Sequence, residues 1–336
     1  MRVNHKSPTV KSRLAWLVLS ATVLVLCARA AGAQQPKNMP TIGWLSAGTG
    51  SNAGQQEILR ILQESFGYAN GKNLDLEFRY AANRLDRLAI LAEELVSRKV
   101  DLLITPGTPG ALALRNATNK IPVIFTDVTD PVGAGLVKSL SRPGGNLTGF
   151  SSIESILAGK RLELLKETIP NLSRVAVLWD SHNQSAQQEW TASQRAAGEL
   201  GLQLYSMEVS SADEYEKAFD RAVKARTVAV AVLSNPLAAF NQQRITDLAA
   251  NHRLPAIYVR REFVAGGGLM SYGVNQAERF RRVAVLVDKI LKGAKPADLP
   301  VEQPTKFDLV INLKAAKQIG VTIPPNVLAR ADRVIK

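Results

Sequence analysis

Residues 41–46 read Thr-Ile-Gly-Trp-Leu-Ser, an apolar run that ends on a small polar residue and opens into Ala47-Gly48-Thr49-Gly50-Ser51. Residues 55–66 then place Ile58, Leu59, Leu62 and Phe66 on one stripe of helical period. A second apolar run covers 74–80, and a second stripe carries Leu85, Leu88, Ala89, Ala92, Leu95 and Val96. Runs over 101–105 and 121–126 complete the series. Short runs that are apolar at successive positions suit strands covered on both faces. Alternating such strands with amphipathic helices demands a parallel sheet with right-handed crossovers, so the fold class is α/β.

The pattern restarts after the turn Arg142-Pro143-Gly144-Gly145. A helix over 155–168 leads to a strand over 174–179. Helices over 185–200, 212–225 and 240–252 then alternate with strands over 202–207, 228–233 and 256–259. Gly266-Gly267-Gly268 breaks the series. Beyond it come a strand over 269–272 and a helix carrying Phe280, Val283, Ala284, Val287, Ile290 and Leu291, stopped at Lys292-Gly293. A linker over 296–304, a strand over 307–311 and a helix over 313–319 close the chain. Two Rossmann-like halves are visible, without enough shared sequence to make a repeat.

The amino end carries Arg2, Lys6, Lys11 and Arg13, an apolar run from Leu14 to Cys27, and Ala31-Gly32-Ala33 before Gln34. That order is a secretory signal peptide over 1–33, cleaved after Ala33, with an apolar stretch too short to span a bilayer. Lipidation at Cys27 is the weaker alternative, because Leu26 stands where a small residue is needed. The mature chain keeps about 300 residues, enough for two domains. Cys27 is the only cysteine, so the mature chain has no disulfide or thiolate metal site, and two isolated histidines, His182 and His252, make no zinc set. The formal charge of +13 includes five basic residues of the leader. The remaining excess gathers only in short groups, Arg260-Arg261 and Arg279-Arg281-Arg282, which read as solvated faces and not as a nucleic-acid track. No cofactor, metal or nucleic acid is expected, and the chain is expected to be a monomer.

In open parallel sheets a ligand binds beyond the carboxyl ends of the strands, where helices begin. In the first half those ends supply Ser46, Thr49, Thr105, Gly107, Thr108, Asp127 and Asp130; in the second they supply Trp179, Asp180, Asn183 and Asn235. Thr105-Pro106, Asp130-Pro131 and Asn235-Pro236 have the form of a helix cap followed by proline. Polar loops on both halves would line a shared cleft suited to a carboxylate or another anionic group, with Trp179, Tyr258 and Tyr272 against its apolar part. Asp127 and Asp130 have two readings, contact with a ligand amine or helix capping alone.

Gly48-Thr49-Gly50-Ser51-Asn52-Ala53 satisfies the glycine pattern of a dinucleotide site. The second strand, however, ends in Arg79-Tyr80 where the ribose contact needs an acid. Ser271 in Leu269-Met270-Ser271-Tyr272-Gly273 lacks the first glycine of a nucleophile elbow. Enzymatic readings therefore find no support in the motifs.

The blocks Ile42-Gly43-Trp44-Leu45-Ser46, Asp130-Pro131-Val132-Gly133, Arg142-Pro143-Gly144-Gly145-Asn146-Leu147-Thr148-Gly149, Lys160-Arg161-Leu162-Glu163-Leu164-Leu165, Arg261-Glu262-Phe263 and Gly267-Gly268-Leu269-Met270-Ser271-Tyr272-Gly273 occur in that order. In them the chain resembles the ABC transporter substrate-binding protein family that includes tryptophan- and tyrosine-uptake binding proteins, over nearly all of the mature sequence. The resemblance implies a type I periplasmic binding fold: an N-terminal lobe of 34–150 plus 273–305 and a C-terminal lobe of 151–272 plus 306–336, joined by three crossings. It further implies a periplasmic protein that closes on a small-molecule solute, does no catalysis, and meets an ABC permease and its ATPase. A sensor handing its closed state to a membrane receptor is the alternative. The sequence departs from the family pattern at Arg260, where an aromatic is expected, and at Asn235, where an aspartate is common.

Overall fold

The computed structural model describes residues 39–336, so the leader and Cys27 lie outside the described residues. The strand Thr41–Ser46 (β1) forms where the apolar run predicts it and is buried from Ile42 onward. It pairs in parallel with Asp75–Tyr80 (β2) on one side and Leu102–Pro106 (β3) on the other. Val123–Val128 (β4) and Leu147–Ser151 (β5) extend the sheet, giving the parallel order β2-β1-β3-β4-β5. The helices Ala53–Phe66 (α1), Leu88–Ser97 (α2) and Thr108–Ala117 (α3) cover it. Asn52 starts α1 by accepting the Gln55 N–H at 2.9 Å, and Gly67 ends it in the left-handed conformation.

The second sheet has the order β12-β11-β10-β9-β8-β6-β7. Its strands are Arg174–Trp179 (β6), Gln203–Glu208 (β7), Ala229–Val232 (β8), Ala256–Tyr258 (β9), Met270–Val274 (β10), Phe307–Asn312 (β11) and Arg333–Ile335 (β12). Only the β10–β11 pair is antiparallel. Its first five strands repeat the order of the first sheet, β7-β6-β8-β9-β10 matching β2-β1-β3-β4-β5. The repeat that shared sequence did not reveal is present in the topology. Around this sheet lie Glu154–Thr168 (α4), Gln184–Leu200 (α5), Tyr215–Lys224 (α6), Pro236–Phe240 (α7), Gln242–Asn251 (α8), Arg261–Ala265 (α9), Leu313–Ile319 (α11) and Pro325–Leu328 (α12).

The helix Gln276–Leu291 (α10) follows the second sheet but packs on the first: Val283, Ala284, Leu286 and Val287 join Ile42, Trp44, Ile58 and Leu62 in one core. After it the chain stays with the first unit, since Glu302 N donates to Gly149 O at 2.8 Å and Thr148 Oγ1 donates to Leu299 O at 2.7 Å. Three stretches thus cross between the units: β5 into α4, β10 into α10, and the segment entering β11.

Six elements escaped the sequence reading: β5, β12 and the helices α3, α7, α9 and α12. In β5 the central Gly149 looks like loop, yet its φ is +151° and a Cβ there would stand 1.9 Å from the Phe125 carbonyl oxygen. The glycine lets β5 lie against β4 where the pairing register shifts between Phe125 and Val128. The helix expected over 240–252 is α8, and the short α7 stands before it, ending at Phe240. Thr105-Pro106 is not a cap, because both residues belong to β3, and Asp130-Pro131 opens a run of turns without a helix. Asn235 is a cap, accepting the Ala238 N–H at 2.6 Å.

Candidate functional site

Each five-stranded order reverses direction between its first and third strands, the point where doubly wound sheets leave a crevice beyond the strand ends. In the first unit that edge carries the loops after β1 and β3; in the second it carries those after β6 and β8. The two edges meet. Thr129, just past β4, donates through Oγ1 to Ser185 Oγ at 3.1 Å, and Ser185 lies in the first turn of α5.

Of the residues expected on the first wall, Ser46 is nearly buried and accepts the Gly48 N–H at 3.2 Å. Thr49 is exposed, and Thr108 is half-buried at the start of α3. Gly107 precedes that helix with φ +80°, a conformation glycine adopts without strain. Asp127 has φ +58°, which an aspartate tolerates better than most residues. Its carboxylate is 41% exposed and pairs with the Arg279 guanidinium, which is 11% exposed and lies over the Phe280 ring at 5.1 Å. Arg279, read from the sequence as part of a solvated face, is instead the charge that holds Asp127. Asp130 accepts the Gly133 N–H at 2.8 Å and braces a turn.

On the second wall, Asn183 caps α5 through Ala186 N–H at 3.0 Å, and Asp180 accepts the His182 N–H at 2.9 Å. Asn235 is spent on its cap and on a bond from Nδ2 to Leu233 O. Tyr272 is half-buried at the β10 crossing against Phe307.

Three expected site residues belong to the cores instead. Thr105 is fully buried under α3, close against Gly110. Trp179 is 8% exposed, stacks on Trp190 at 5.4 Å and donates to Ser206 Oγ at 2.7 Å. Tyr258 has no exposure and stacks on Phe263 at 4.8 Å. The β9 alternation explains it: Ile257 faces one core of the second unit and Tyr258 the other.

The sequence reading missed Thr129 and Ser185 as edge residues, and it set Arg260 in the wall of the second lobe without counting it as a binding candidate. Arg260 is exposed, follows β9 at the same edge and has no ion-pair partner among the described residues. A larger omission lies beneath the wall. Arg161 on α4 is 1% exposed and pairs with both Glu154 and Glu189, while Nε donates to Tyr272 O at 2.8 Å. Its neighbours Leu157, Ala158, Leu162 and Leu165 are buried too, so the spacing places Arg161 on the apolar face of its helix. A charge at such a position has a buried partner, and that signal was readable.

Among the described residues no cluster of three or more His, Cys, Asp or Glu is placed to hold a metal, and no helix is long and apolar enough to cross a membrane.

Two doubly wound units joined by three crossings and opposed at their switch points are the architecture of a two-lobed, type I periplasmic binding protein. The sequence model of the family described as ABC transporter substrate binding protein matches residues 49–335. The chain belongs to that family, the substrate-binding components of ABC transporters, which work outside the cytoplasm. It is 30% identical over 258 residues to a tyrosine-binding protein of Clostridioides difficile, covering 77% of this chain and 74% of the relative. Among solved structures, a conserved domain protein from Vibrio cholerae is 29% identical with a TM-score of 0.80, over 88% of this chain and all of its own. An ABC domain from Streptococcus pneumoniae in complex with L-Trp is 29% identical with a TM-score of 0.77, covering 88% and 99%. A ligand-free, open substrate-binding protein with adhesive properties from Clostridium difficile is 27% identical with a TM-score of 0.65, covering 88% and 99%.

Proposed function

We propose that the chain binds an amino-acid-like or carboxylate-bearing solute between the two sets of strand ends and closes over it by rotation about the three crossings. The closed form is then offered to an ABC permease and its ATPase. The observation that carries this reading is the Thr129–Ser185 hydrogen bond, which ties the end of β4 in one unit to the first turn of α5 in the other. The binding candidates kept from the sequence are Ser46, Thr49, Gly107, Thr108, Asp127, Asp130, Asp180, Asn183, Asn235 and Tyr272, of which Ser46 and Asn235 are buried and expose little surface. The helix starts at α1, α3 and α5 favour a carboxylate, and so does Arg260. Asp127, held in place by Arg279, suits an ammonium group. The tyrosine named for one relative and the L-Trp bound by another support a solute carrying both groups.

The protein works as a monomer in the periplasm, after removal of residues 1–33, and catalyses no reaction. Its lobes are 34–150 plus 273–305 and 151–272 plus 306–336. The test is a thermal-shift screen of the mature protein with L-tyrosine, L-tryptophan, the other amino acids and small mono- and dicarboxylates, followed by calorimetric titration. A bound solute raises the melting temperature with the logarithm of one plus its concentration over Kd. A panel without any shift overturns the reading.

A further inference from the structure

Glu189 lies on α5, 1% exposed, with both carboxyl oxygens occupied by donors: Oε1 accepts from Arg161 Nη1, and Oε2 accepts the Ser234 N–H at 2.9 Å. Ser234 begins the loop that leaves β8 at the switch point of the second unit. Arg161 extends the chain of contacts to the Tyr272 carbonyl, on the strand that crosses between the units. Loop, buried ion pair and crossing strand therefore form one connected set.

We propose that Glu189 is a positioning residue for solute binding, whose two carboxyl oxygens fasten the Ser234 loop to the hinge strand through Arg161, so that a proton on this carboxyl loosens the loop. The inference rests on the reading that solute binds at these strand ends. A protonated carboxyl cannot accept strong bonds at both oxygens, and Arg161 has Glu154 and Tyr272 O as further partners. The bond to Ser234 is the one released. Among the described residues the charged groups facing Glu189 are Arg161 and Glu154, both from α4; the loop after β8 presents the Ser234 N–H, and β10 acts through the Tyr272 carbonyl. One cation between two carboxylates in a dry site leaves a surplus negative charge. Burial first, with Glu154 adding to it against the pull of Arg161, pushes Glu189 up to about 7. The loop is thus held above neutrality and released below it.

The test uses the mature protein, the variant Glu189→Gln and the variant Glu154→Gln. Amide hydrogen exchange, corrected for the intrinsic pH dependence of exchange, is read over the Ser234 loop and the β10 crossing between pH about 5.5 and about 8. The wild type gains protection at both segments as pH rises, with a midpoint near 7. Glu189→Gln, which resembles the protonated state, stays at the low-pH level throughout. Glu154→Gln leaves Glu189 as the remaining carboxylate on Arg161 and moves the midpoint to lower pH. Calorimetric titration with L-tyrosine and L-tryptophan adds the functional readout: the wild-type Kd falls about three- to tenfold across the same range, the weight of one hydrogen bond, and that of Glu189→Gln does not. A wild-type protection pattern without pH dependence, or a dependence that survives Glu189→Gln, overturns the proposal. Exchange behaviour as described with no binding of either amino acid keeps the coupling and overturns the amino-acid reading of the cleft.

Discussion

The hydroxyl of Tyr258 is buried with no hydrogen-bond partner among the described residues, and burial pushes its ionisation well above the usual range. Removing it relieves a desolvated polar group and leaves the ring stacked on Phe263. Tyr258→Phe is expected to leave stability unchanged or raise it by up to about 1 kcal/mol, with solute affinity unaltered, as calorimetry and titration will register. A sharp loss of affinity would return this ring to the binding wall. Glu189 gives a second residue-level expectation. The unfolded chain releases this proton in the ordinary carboxylate range near 4.5, whereas the folded chain keeps it to about 7. The folded state binds more protons between those values, so this group's contribution makes stability fall as pH rises through that window. Melting curves should show Glu189→Gln gaining on the wild type from pH about 4.5 to about 7.

At the scale of elements, the crossings are built on close backbone approach. A Cβ on Gly149 would stand 1.9 Å from Phe125 O, and one on Gly273 would stand 2.0 Å from Val259 O. Either glycine changed to alanine forces a strand away from its neighbour and should cost more than about 2 kcal/mol in chemical denaturation. Asn183→Ala, by contrast, removes one cap from α5 and should cost about 1 kcal/mol. These same features mark where the sequence was legible. Strands such as β1, β6 and β8 have apolar interiors and declared themselves, as did helices with a clear stripe. β5 did not, because Gly149 serves the sheet through what it lacks. The site was half legible for a related reason. Strand ends locate a cleft, but which side chain turns outward at each end depends on pleat phase, and that sent Tyr258 and Trp179 into the cores. Arg279 was hidden because its partner Asp127 is distant in the chain, whereas Arg161 was readable from its place on an apolar helix face and only its partner Glu189 was not.

For the whole molecule, the Thr129–Ser185 bond forms only when the edges are together, so its loss favours the open arrangement. Ser185→Ala is expected to enlarge the radius of gyration of the solute-free protein in small-angle scattering, and saturating solute should restore the compact value. Identical scattering of variant and wild type under both conditions would show that this contact does not bias closure.

Neither unit is a continuous length of polypeptide. The core built on β1 and α1 is completed by Val283, Ala284, Leu286 and Val287, about 220 residues further along. A nascent chain that leaves the cytoplasm amino end first carries an unfinished apolar surface through most of its journey. Until residues 276–291 arrive that core stays incomplete, and a product cut short before residue 276 would be left with the surface bare and prone to aggregate or be degraded.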